Sequence, residues 1–175
     1  MSKETTITTL IFDFGGVLIN LDINQCIEGF KALGLENVET YLSNYGQSGL
    51  FLEWERGDIN PDEFHTKVRA LCPGNPTDEE IDQAWMLFLL DVPASKIELL
   101  KQLRSRYRIL MLSNTNPVHI DRSAAIAFGA HNTSMEELFD RCYLSYKIGL
   151  TKPDPAIFHY LLKEEGLQAG ECLFL

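Results

Sequence analysis

The sequence predicts an α/β protein, a doubly wound parallel sheet with an inserted α-helical cap. Three observations support this fold class. Short, almost wholly apolar segments recur along the chain, amphipathic segments with helical spacing separate them, and residues 20–90 have helical patterns without a convincing strand. Continuous apolar runs are typical of strands buried on both faces of a parallel sheet. Strands that alternate with helices favour a doubly wound arrangement.

Four apolar segments are predicted strands. The first covers residues 9–13 and ends at Asp13, where Gly15 and Gly16 indicate an immediate turn. The other predicted strands cover residues 108–113, 142–145 and 172–175.

Two helices are predicted between these strands. Residues 93–107 place apolar side chains at helical spacing and basic side chains near the end, where the helix dipole favours them. A second helix begins at Asp154 and Pro155, a cap residue followed by a first-turn proline, and stops at Gly166. Residues 116–139 are expected to form a loop with one or two helices.

The inserted segment reads as a helical cap. Asn60-Pro61 and Thr77 with Glu80 are typical helix starts. We therefore predict a core domain of residues 1–19 and 91–175 and a cap domain of residues 20–90. The predicted cap helices cover residues 25–33, 38–45, 62–71 and 77–90.

Length and composition bound the class of protein. A chain of 175 residues suits one compact domain, or a core with a smaller insertion. No apolar run approaches the ~20 residues that span a bilayer, and the first residues do not resemble a signal peptide, so a cytoplasmic protein is expected. The formal charge of −10 disfavours nucleic acid and anionic membranes as partners. The oligomeric state stays open.

The four cysteines are widely spaced and form no CxxC pair. Reduced thiols are therefore favoured over a disulfide framework or a zinc site.

Polar residues fall at or just after the ends of three predicted strands: Asp13, Ser113 with Asn114, and Lys152. Ligands gather at the carboxyl ends of strands in open α/β sheets. A carboxylate can attack phosphorus, and a hydroxyl, amides and an ammonium group can neutralise the charge of the transferring oxygens. Magnesium prefers oxygen ligands and phosphate. Without this convergence, Asp13 would only cap a strand, Lys152 would be a solvated lysine, and Ser113 and Asn114 would be turn residues.

These residues occur in motifs that resemble those of the haloacid dehalogenase (HAD) superfamily. FDFGGV at 12–17, LSN at 112–114 and GLTKPDP at 149–155 resemble its first, second and third motifs, in order. The insertion after the first motif resembles its C1-type cap. The resemblance covers essentially the whole chain and is closest to a branch that includes glucose-1-phosphate phosphatases. It implies a HAD-type, Rossmann-like core.

The resemblance also implies roles for the individual residues. Asp13 would be the nucleophile and a ligand of Mg²⁺, and the backbone carbonyl of Gly15 a second ligand. Ser113 and the amide of Asn114 would bind phosphate, and Lys152 would hold both the phosphate and the nucleophile. Further acidic metal ligands are expected beyond Leu175, because the chain stops in a predicted strand, and we therefore expect a fragment.

Gly15 departs from the pattern of most phosphatases in the superfamily. They have a second aspartate there, two positions after the nucleophile, which acts as general acid and base. A missing general acid costs ~100- to 10,000-fold in rate. The glucose-1-phosphate phosphatases tolerate glycine, so we expect the change to restrict the substrate rather than to abolish activity.

The sequence thus predicts a magnesium-dependent phosphatase that hydrolyses a small phosphate monoester, a sugar phosphate by preference, through an aspartyl-phosphate. One alternative is a metal-independent dehalogenase in which Asp13 attacks carbon. Another is a non-catalytic phosphate-ligand-binding or regulatory protein with the same fold.

Two groups of cap residues and one histidine stand out. Residues 53–58 form a charged cluster around Trp54, for which a solvated helix end is slightly favoured over a surface that selects substrate. Trp85, Phe88 and Leu89 are predicted to belong to the cap core. His119 follows the second motif but is assigned no role.

Overall fold

The computed structural model describes residues 6–43 and 46–175. Its main sheet has four strands, all parallel: β1 (Thr9–Phe12), β4 (Arg108–Ser113), β5 (Arg141–Leu144) and β6 (Cys172–Phe174). Their spatial order is β5-β4-β1-β6, which places β1 in the interior of the sheet. Ile11 of β1 lies opposite both Leu110 and Phe174. The predicted α/β class with a parallel sheet is confirmed.

Both faces of this sheet are covered, as the apolar runs predict. Leu10 and Phe12 point to one hydrophobic cluster, while Ile11 between them points to another. Side chains alternate between the two faces of a strand, so a strand buried on both faces needs apolar residues at every position. All four residues of β1 are buried, and three of them, Leu10, Ile11 and Phe12, are apolar.

Nine helical segments, numbered in chain order, accompany the strands in the described residues. They are α1 (Ile23–Ala32), α2 (Gly49–Arg56), α3 (Pro61–Leu71), α4 (Asp78–Met86), α5 (Ala94–Arg104), α6 (Ala125–Gly129), α7 (Met135–Leu138), α8 (Ser145–Ile148) and α9 (Pro155–Glu165). Short 3₁₀ turns cover Val38–Thr40 and Ala169–Glu171, and a π-helical turn covers His119–Ala124. No helix in the described part of the chain is long and apolar enough to cross a membrane.

The predicted helix starts are confirmed by their capping hydrogen bonds. Asn60 and Glu63 form a reciprocal capping box at the start of α3, and Thr77 and Glu80 form another at the start of α4. Asp154 accepts a hydrogen bond of 2.9 Å from the amide of Ala156 at the start of α9. Each cap satisfies backbone N–H groups that a helix leaves unpaired at its first turn.

The predicted cap helix at 38–45 is wrong. A 3₁₀ turn is followed there by the strand β2 (Leu42–Ser43), which pairs antiparallel with β3 (Gly46–Gln47); Tyr45 lies outside the described residues. Val38 and Leu42 are both buried. A turn followed by a strand therefore places both side chains in the core, where the sequence had indicated an amphipathic helix.

The predicted helix at 77–90 ends early, at Met86. Residues 88–91 instead run antiparallel to residues 20–22. The amide of Leu90 donates to the carbonyl of Asn20 at 2.9 Å, and the amide of Asn20 donates to the carbonyl of Asp91 at 2.9 Å. The chain thus enters and leaves the inserted segment along one pair of hydrogen-bonded linkers.

Aromatic rings fill the interior of the inserted segment. Trp54 stacks on Phe64 with ring centroids 4.7 Å apart, and Phe51 lies 5.0 Å from Trp85. Trp85, Phe88 and Leu89 are buried, as predicted for a cap core. Aromatic pairs at these separations add to the stabilisation from apolar burial. The packing holds α2, α3 and α4 together.

Candidate active site

Asp13 and Lys152 form an ion pair at the carboxyl end of the sheet. Asp13 directly follows β1, and its Oδ1 lies 2.6 Å from Nζ of Lys152, 139 positions later in the chain. The same carboxylate oxygen accepts a hydrogen bond of 2.7 Å from the amide of Phe14. The two contacts hold one oxygen of the Asp13 carboxyl group in a fixed position at the end of the strand.

The side chain of Asn114 fixes the backbone of Lys152. Asn114 Nδ2 donates to the Lys152 carbonyl at 2.9 Å, and its Oδ1 accepts from the Lys152 amide at 2.8 Å. Lys152 Nζ also donates to the carbonyl of Leu112 at 3.1 Å. The second motif therefore holds the lysine of the third motif in place beside the end of β1.

These residues line a cavity of about 290 Å³ between the sheet edge and the inserted segment. Its volume lies near the lower end of the ~300–1,000 Å³ common for small-molecule sites, which suits a small metabolite. Besides Asp13, Asn114 and Lys152, the lining comprises Gly15, Leu21, Ser43, Gln47, Glu55, Phe88 and Pro153.

Ser113 is the predicted site residue that the described structure does not place in the cavity lining. Its side chain is buried, and its hydroxyl donates to the carbonyl of Asn114 at 3.2 Å. A role in phosphate binding therefore stays a prediction for Ser113.

Gly15 lies in a tight turn directly after the nucleophile candidate. Gly16 has a φ of +74°, a backbone conformation that glycine adopts without strain, and its amide donates to the carbonyl of Ile19 at 2.9 Å. No backbone amide of the described residues donates to the Gly15 carbonyl. This oxygen thus keeps its capacity to bind a cation at the cavity wall.

The donor set suits Mg²⁺ but is small. The Asp13 carboxylate and the Gly15 carbonyl are the hard oxygen ligands that Mg²⁺ prefers, and Mg²⁺ commonly keeps several waters and substrate oxygens. No group of three or more His, Cys, Asp or Glu side chains in the described part of the chain is arranged to hold a metal ion. Among the described residues, the Asp13 carboxylate and the Gly15 carbonyl are therefore the candidate ligands of Mg²⁺.

Glu55 is a cavity residue for which the sequence left two interpretations open. Glu55 and its neighbour Trp54 are buried near the end of α2, so the interpretation as a solvated helix end is wrong for both. Burial raises the pKa of Glu55 to about 8, against the opposing effect of the Lys152 ammonium. The carboxyl group is therefore neutral at pH 7.

Gln47 is a cavity residue that the sequence analysis missed. Its Oε1 is buried, with no hydrogen-bond partner among the described residues. Buried amide oxygens usually accept a hydrogen bond, so this atom is suited to a donor on a bound ligand. The missed hairpin explains the omission, because Gln47 lies on β3.

His119 is buried beneath the inserted segment and outside the cavity lining. Its Nε2 is 3.0 Å from the carbonyl of Trp85, and its amide donates to Oδ1 of Asn116 at 3.0 Å. Burial lowers the pKa of His119 to about 4. His119 therefore contributes to packing as a neutral side chain.

A carboxylate, an ammonium group and a neutral carboxyl thus surround one small cavity. The first can act as a nucleophile, the second can bind an anion, and the third can donate a hydrogen bond. This set suits nucleophilic displacement on a small anionic ester.

Comparison with known proteins identifies the family. The profile of the haloacid dehalogenase-like hydrolases matches residues 7–175, nearly the whole chain. The chain belongs to this family and is a hydrolase, which confirms the predicted superfamily. The branch of glucose-1-phosphate phosphatases stays a prediction.

The chain is similar to several known proteins over most of their length. The chain is 36% identical over 169 residues to D-ribitol-5-phosphate phosphatase of Bacteroides thetaiotaomicron, covering 97% of this chain and 82% of that protein. A HAD family enzyme of the same species, crystallised as a variant with magnesium and inorganic phosphate, superposes with a TM-score of 0.91 at 39% identity, covering 96% of this chain and 83% of that one. A predicted HAD-like hydrolase of Porphyromonas gingivalis superposes with a TM-score of 0.87 at 33% identity, over 97% and 81%.

Proposed function

We propose that the chain is a magnesium-dependent phosphatase that hydrolyses a small phosphate monoester of a sugar or sugar alcohol. The observation that carries the proposal is the ion pair of Asp13 and Lys152 in a small cavity at the sheet edge, with Oδ1 and Nζ 2.6 Å apart. The likeness to a D-ribitol-5-phosphate phosphatase and to an enzyme bound to magnesium and phosphate supports it.

The ion pair suggests how the first step proceeds. Asp13 is positioned to attack phosphorus and form an aspartyl-phosphate, while Lys152 neutralises negative charge on the nucleophile and on the phosphoryl oxygens. Asn114 contributes indirectly, because its side chain fixes the backbone of Lys152. Water then hydrolyses the aspartyl-phosphate and restores Asp13.

Mg²⁺ would be held by the Asp13 carboxylate and the Gly15 carbonyl. When bound, it supplies positive charge to the phosphoryl oxygens and offsets repulsion between the anionic nucleophile and the substrate. This contribution matters here because the chain has a formal charge of −10.

The cavity also favours a substrate that carries hydroxyl groups. Gln47 Oε1 is buried and has no described partner, so a substrate hydroxyl is a suitable donor for it. The limited cavity volume favours a small metabolite over a macromolecule. Both features agree with a sugar or sugar-alcohol phosphate.

We retain three finer assignments within this proposal. Residues 20–90 act as a cap over a core of residues 1–19 and 91–175. Ser113 contacts the phosphate when substrate is bound. The protein acts in the cytoplasm on a phosphorylated metabolite.

Phosphate release from a panel of esters tests the proposal. With Mg²⁺ present, we expect turnover of at least one member of a panel that includes D-ribitol-5-phosphate and glucose-1-phosphate. Asp13→Asn should lower kcat by roughly 10⁴-fold or more, the scale on which hydrolases lose activity with their nucleophile. Asp62→Asn, an exposed site outside the cavity, should leave kcat unchanged.

Two outcomes would contradict the proposal. Folded protein that releases no phosphate from any ester with Mg²⁺ would exclude this activity. Halide release from 2-haloacids that persists with a chelator would instead establish the dehalogenase alternative, in which Asp13 attacks carbon.

A further inference from the structure

The cavity contains one carboxyl group besides that of Asp13, among the described residues that line it. This group belongs to Glu55, which is 4% exposed. Asp13 and Lys152 already pair with each other, and the remaining polar side chains of the described lining are hydroxyls and amides. Glu55 is thus the side chain in this lining best suited to exchange a proton with a ligand.

Contacts with the core fix the position of Glu55. Ser145 Oγ, at the start of α8, donates to the carbonyl of Glu55 at 2.5 Å and accepts from the amide of Thr115 at 2.9 Å. Two residues later, Gly57 packs so closely on the backbone of Tyr146 that an added Cβ would lie 2.2 Å from its carbonyl oxygen. The end of α2 is therefore held against the segment that leads to Lys152.

The surroundings of the Glu55 carboxyl favour its protonated form. Burial raises its pKa to about 8, and the ammonium of Lys152 opposes this effect. Asp13 also lines the cavity, but its charge is paired with Lys152. At neutral pH the carboxyl therefore carries a proton and faces the space that an anionic ester would occupy.

We propose that Glu55 is a catalytic acid and base of this hydrolase, giving a proton to the leaving oxygen of the ester and later taking one from the attacking water. The inference rests on the proposed phosphatase function and adds the group that moves the proton. A buried acid at this position removes the need for an acidic side chain at Gly15.

Both half-reactions balance with Glu55 in this role. In the first, an Asp13 oxygen bonds to phosphorus, the phosphorus–oxygen bond to the alcohol breaks, and the Glu55 proton moves to the departing oxygen. In the second, water oxygen bonds to phosphorus, the bond between phosphorus and Asp13 breaks, and a water proton moves to the Glu55 carboxylate. The enzyme returns to its starting state.

The dependence on the leaving group tests this role with Glu55→Gln, which keeps the shape of the side chain but cannot exchange a proton in the same way. For D-ribitol-5-phosphate, whose alkoxide leaving group needs a proton, we expect kcat/KM to fall by ~100- to 10,000-fold. For p-nitrophenyl phosphate, whose phenolate leaves without one, kcat/KM should fall by less than ~10-fold. Glu53→Gln, on the same helix and paired with Lys67 outside the cavity, should leave both values unchanged.

A pre-steady-state burst provides a second readout. If Glu55 also accepts the proton of the attacking water, Glu55→Gln should release one equivalent of p-nitrophenol rapidly and then turn over slowly, because the aspartyl-phosphate accumulates. A side chain that only bound substrate hydroxyls would not produce this burst.

Each outcome decides the inference separately from the phosphatase proposal. Equal losses on both esters, or no loss on either, would overturn the role of Glu55 as an acid while leaving phosphatase activity established by the wild-type protein. If the loss of kcat/KM in Glu55→Gln depended on the hydroxyl groups of the substrate and not on the leaving group, Glu55 would be reassigned to substrate binding. Failure of the wild-type protein to release phosphate from p-nitrophenyl phosphate or from any ester of the panel with Mg²⁺ would reject the phosphatase function itself. Thermal unfolding confirms that each variant is folded.

Discussion

Two carboxyl groups line the same cavity in different surroundings. Asp13 Oδ1 lies 2.6 Å from the Lys152 ammonium and accepts a hydrogen bond of 2.7 Å from the Phe14 amide. Glu55 is buried, and its pKa rises to about 8. A paired carboxylate beside a buried carboxyl with a raised pKa suits a site that needs both a nucleophile and a proton donor.

The raised pKa of Glu55 predicts a specific dependence of stability on pH. The ordinary pKa of a glutamate carboxyl is 4.5, and that of Glu55 in the folded state is about 8. Between these two pH values the folded state keeps a proton that the unfolded state loses. The contribution of Glu55 to the free energy of unfolding is therefore complete below pH 4.5 and is lost as the pH rises, by up to about 1.4 kcal/mol per pH unit. Glu55→Gln should remove this slope.

Urea unfolding at pH 5, 6 and 7 without Mg²⁺ measures the effect. The stability of Glu55→Gln relative to the wild type should increase across the series, whereas that of Glu53→Gln should stay level. A difference between Glu55→Gln and the wild type that does not change with pH would show that the buried carboxyl ionises normally in the folded state.

At the scale of elements, the helix α2 connects the inserted segment to the site. Its apolar side holds Phe51 and Trp54 against the aromatic interior, and its final turn brings Glu55 to the cavity. Gly57 ends the helix with a φ of +77° in direct contact with the backbone of Tyr146. Glycine suits this position because it adopts a positive φ without strain and because the Tyr146 backbone leaves no room for a Cβ.

Gly57→Ala should therefore be more damaging than the same change at another helix end. Gly166 ends α9 with a φ of +65° and nothing within 4 Å of an added Cβ, so Gly166→Ala is a matched control. A left-handed alanine costs ~1–2 kcal/mol at either site, and the clash with Tyr146 should add roughly 1–3 kcal/mol at Gly57. Urea unfolding of both variants measures the difference, and equal losses would contradict a close contact at Gly57.

The elements differ in how far the sequence determines them. The capping pairs at Asn60 and Thr77 are local interactions, and the structure confirms the helix starts that they predict. The hairpin of β2 and β3 has strands of two residues each, too short for an alternating pattern to indicate them. The burial of Glu55 depends on partners as distant as Ser145, 90 positions away. No local pattern reports such a contact, so Glu55 and Gln47 could not be assigned to the cavity in advance.

At the scale of the whole molecule, the parallel sheet brings the motifs together. The strands β4 and β1 are neighbours, so their carboxyl ends deliver Asn114 and Asp13 to one edge. The Asn114 side chain then fixes Lys152, which lies in the turn before α9. The sequence shows apolar segments that end in polar residues. The convergence of Asp13, Asn114 and Lys152 at one edge of the sheet could therefore be predicted.

The inserted segment encloses the site on the side away from the sheet. Hydrogen-bonded linkers at residues 20–22 and 88–91 join the inserted segment to the sheet, and the Ser145 hydroxyl bonds α2 to the start of α8. Cavity residues thus come from the sheet edge, the hairpin and α2 together. The proposed nucleophile, anion-binding group and proton donor therefore line one cavity.

Binding of beryllium fluoride tests the central claim directly, because this phosphoryl mimic bonds to a carboxylate where a cation and an ammonium group neutralise its charge. In ¹⁹F NMR with Mg²⁺, we expect the wild-type protein to give a bound-fluoride signal that Asp13→Asn and Lys152→Ala lose and Asp62→Asn keeps. An unchanged signal in Asp13→Asn would place the phosphoryl site elsewhere and contradict the account.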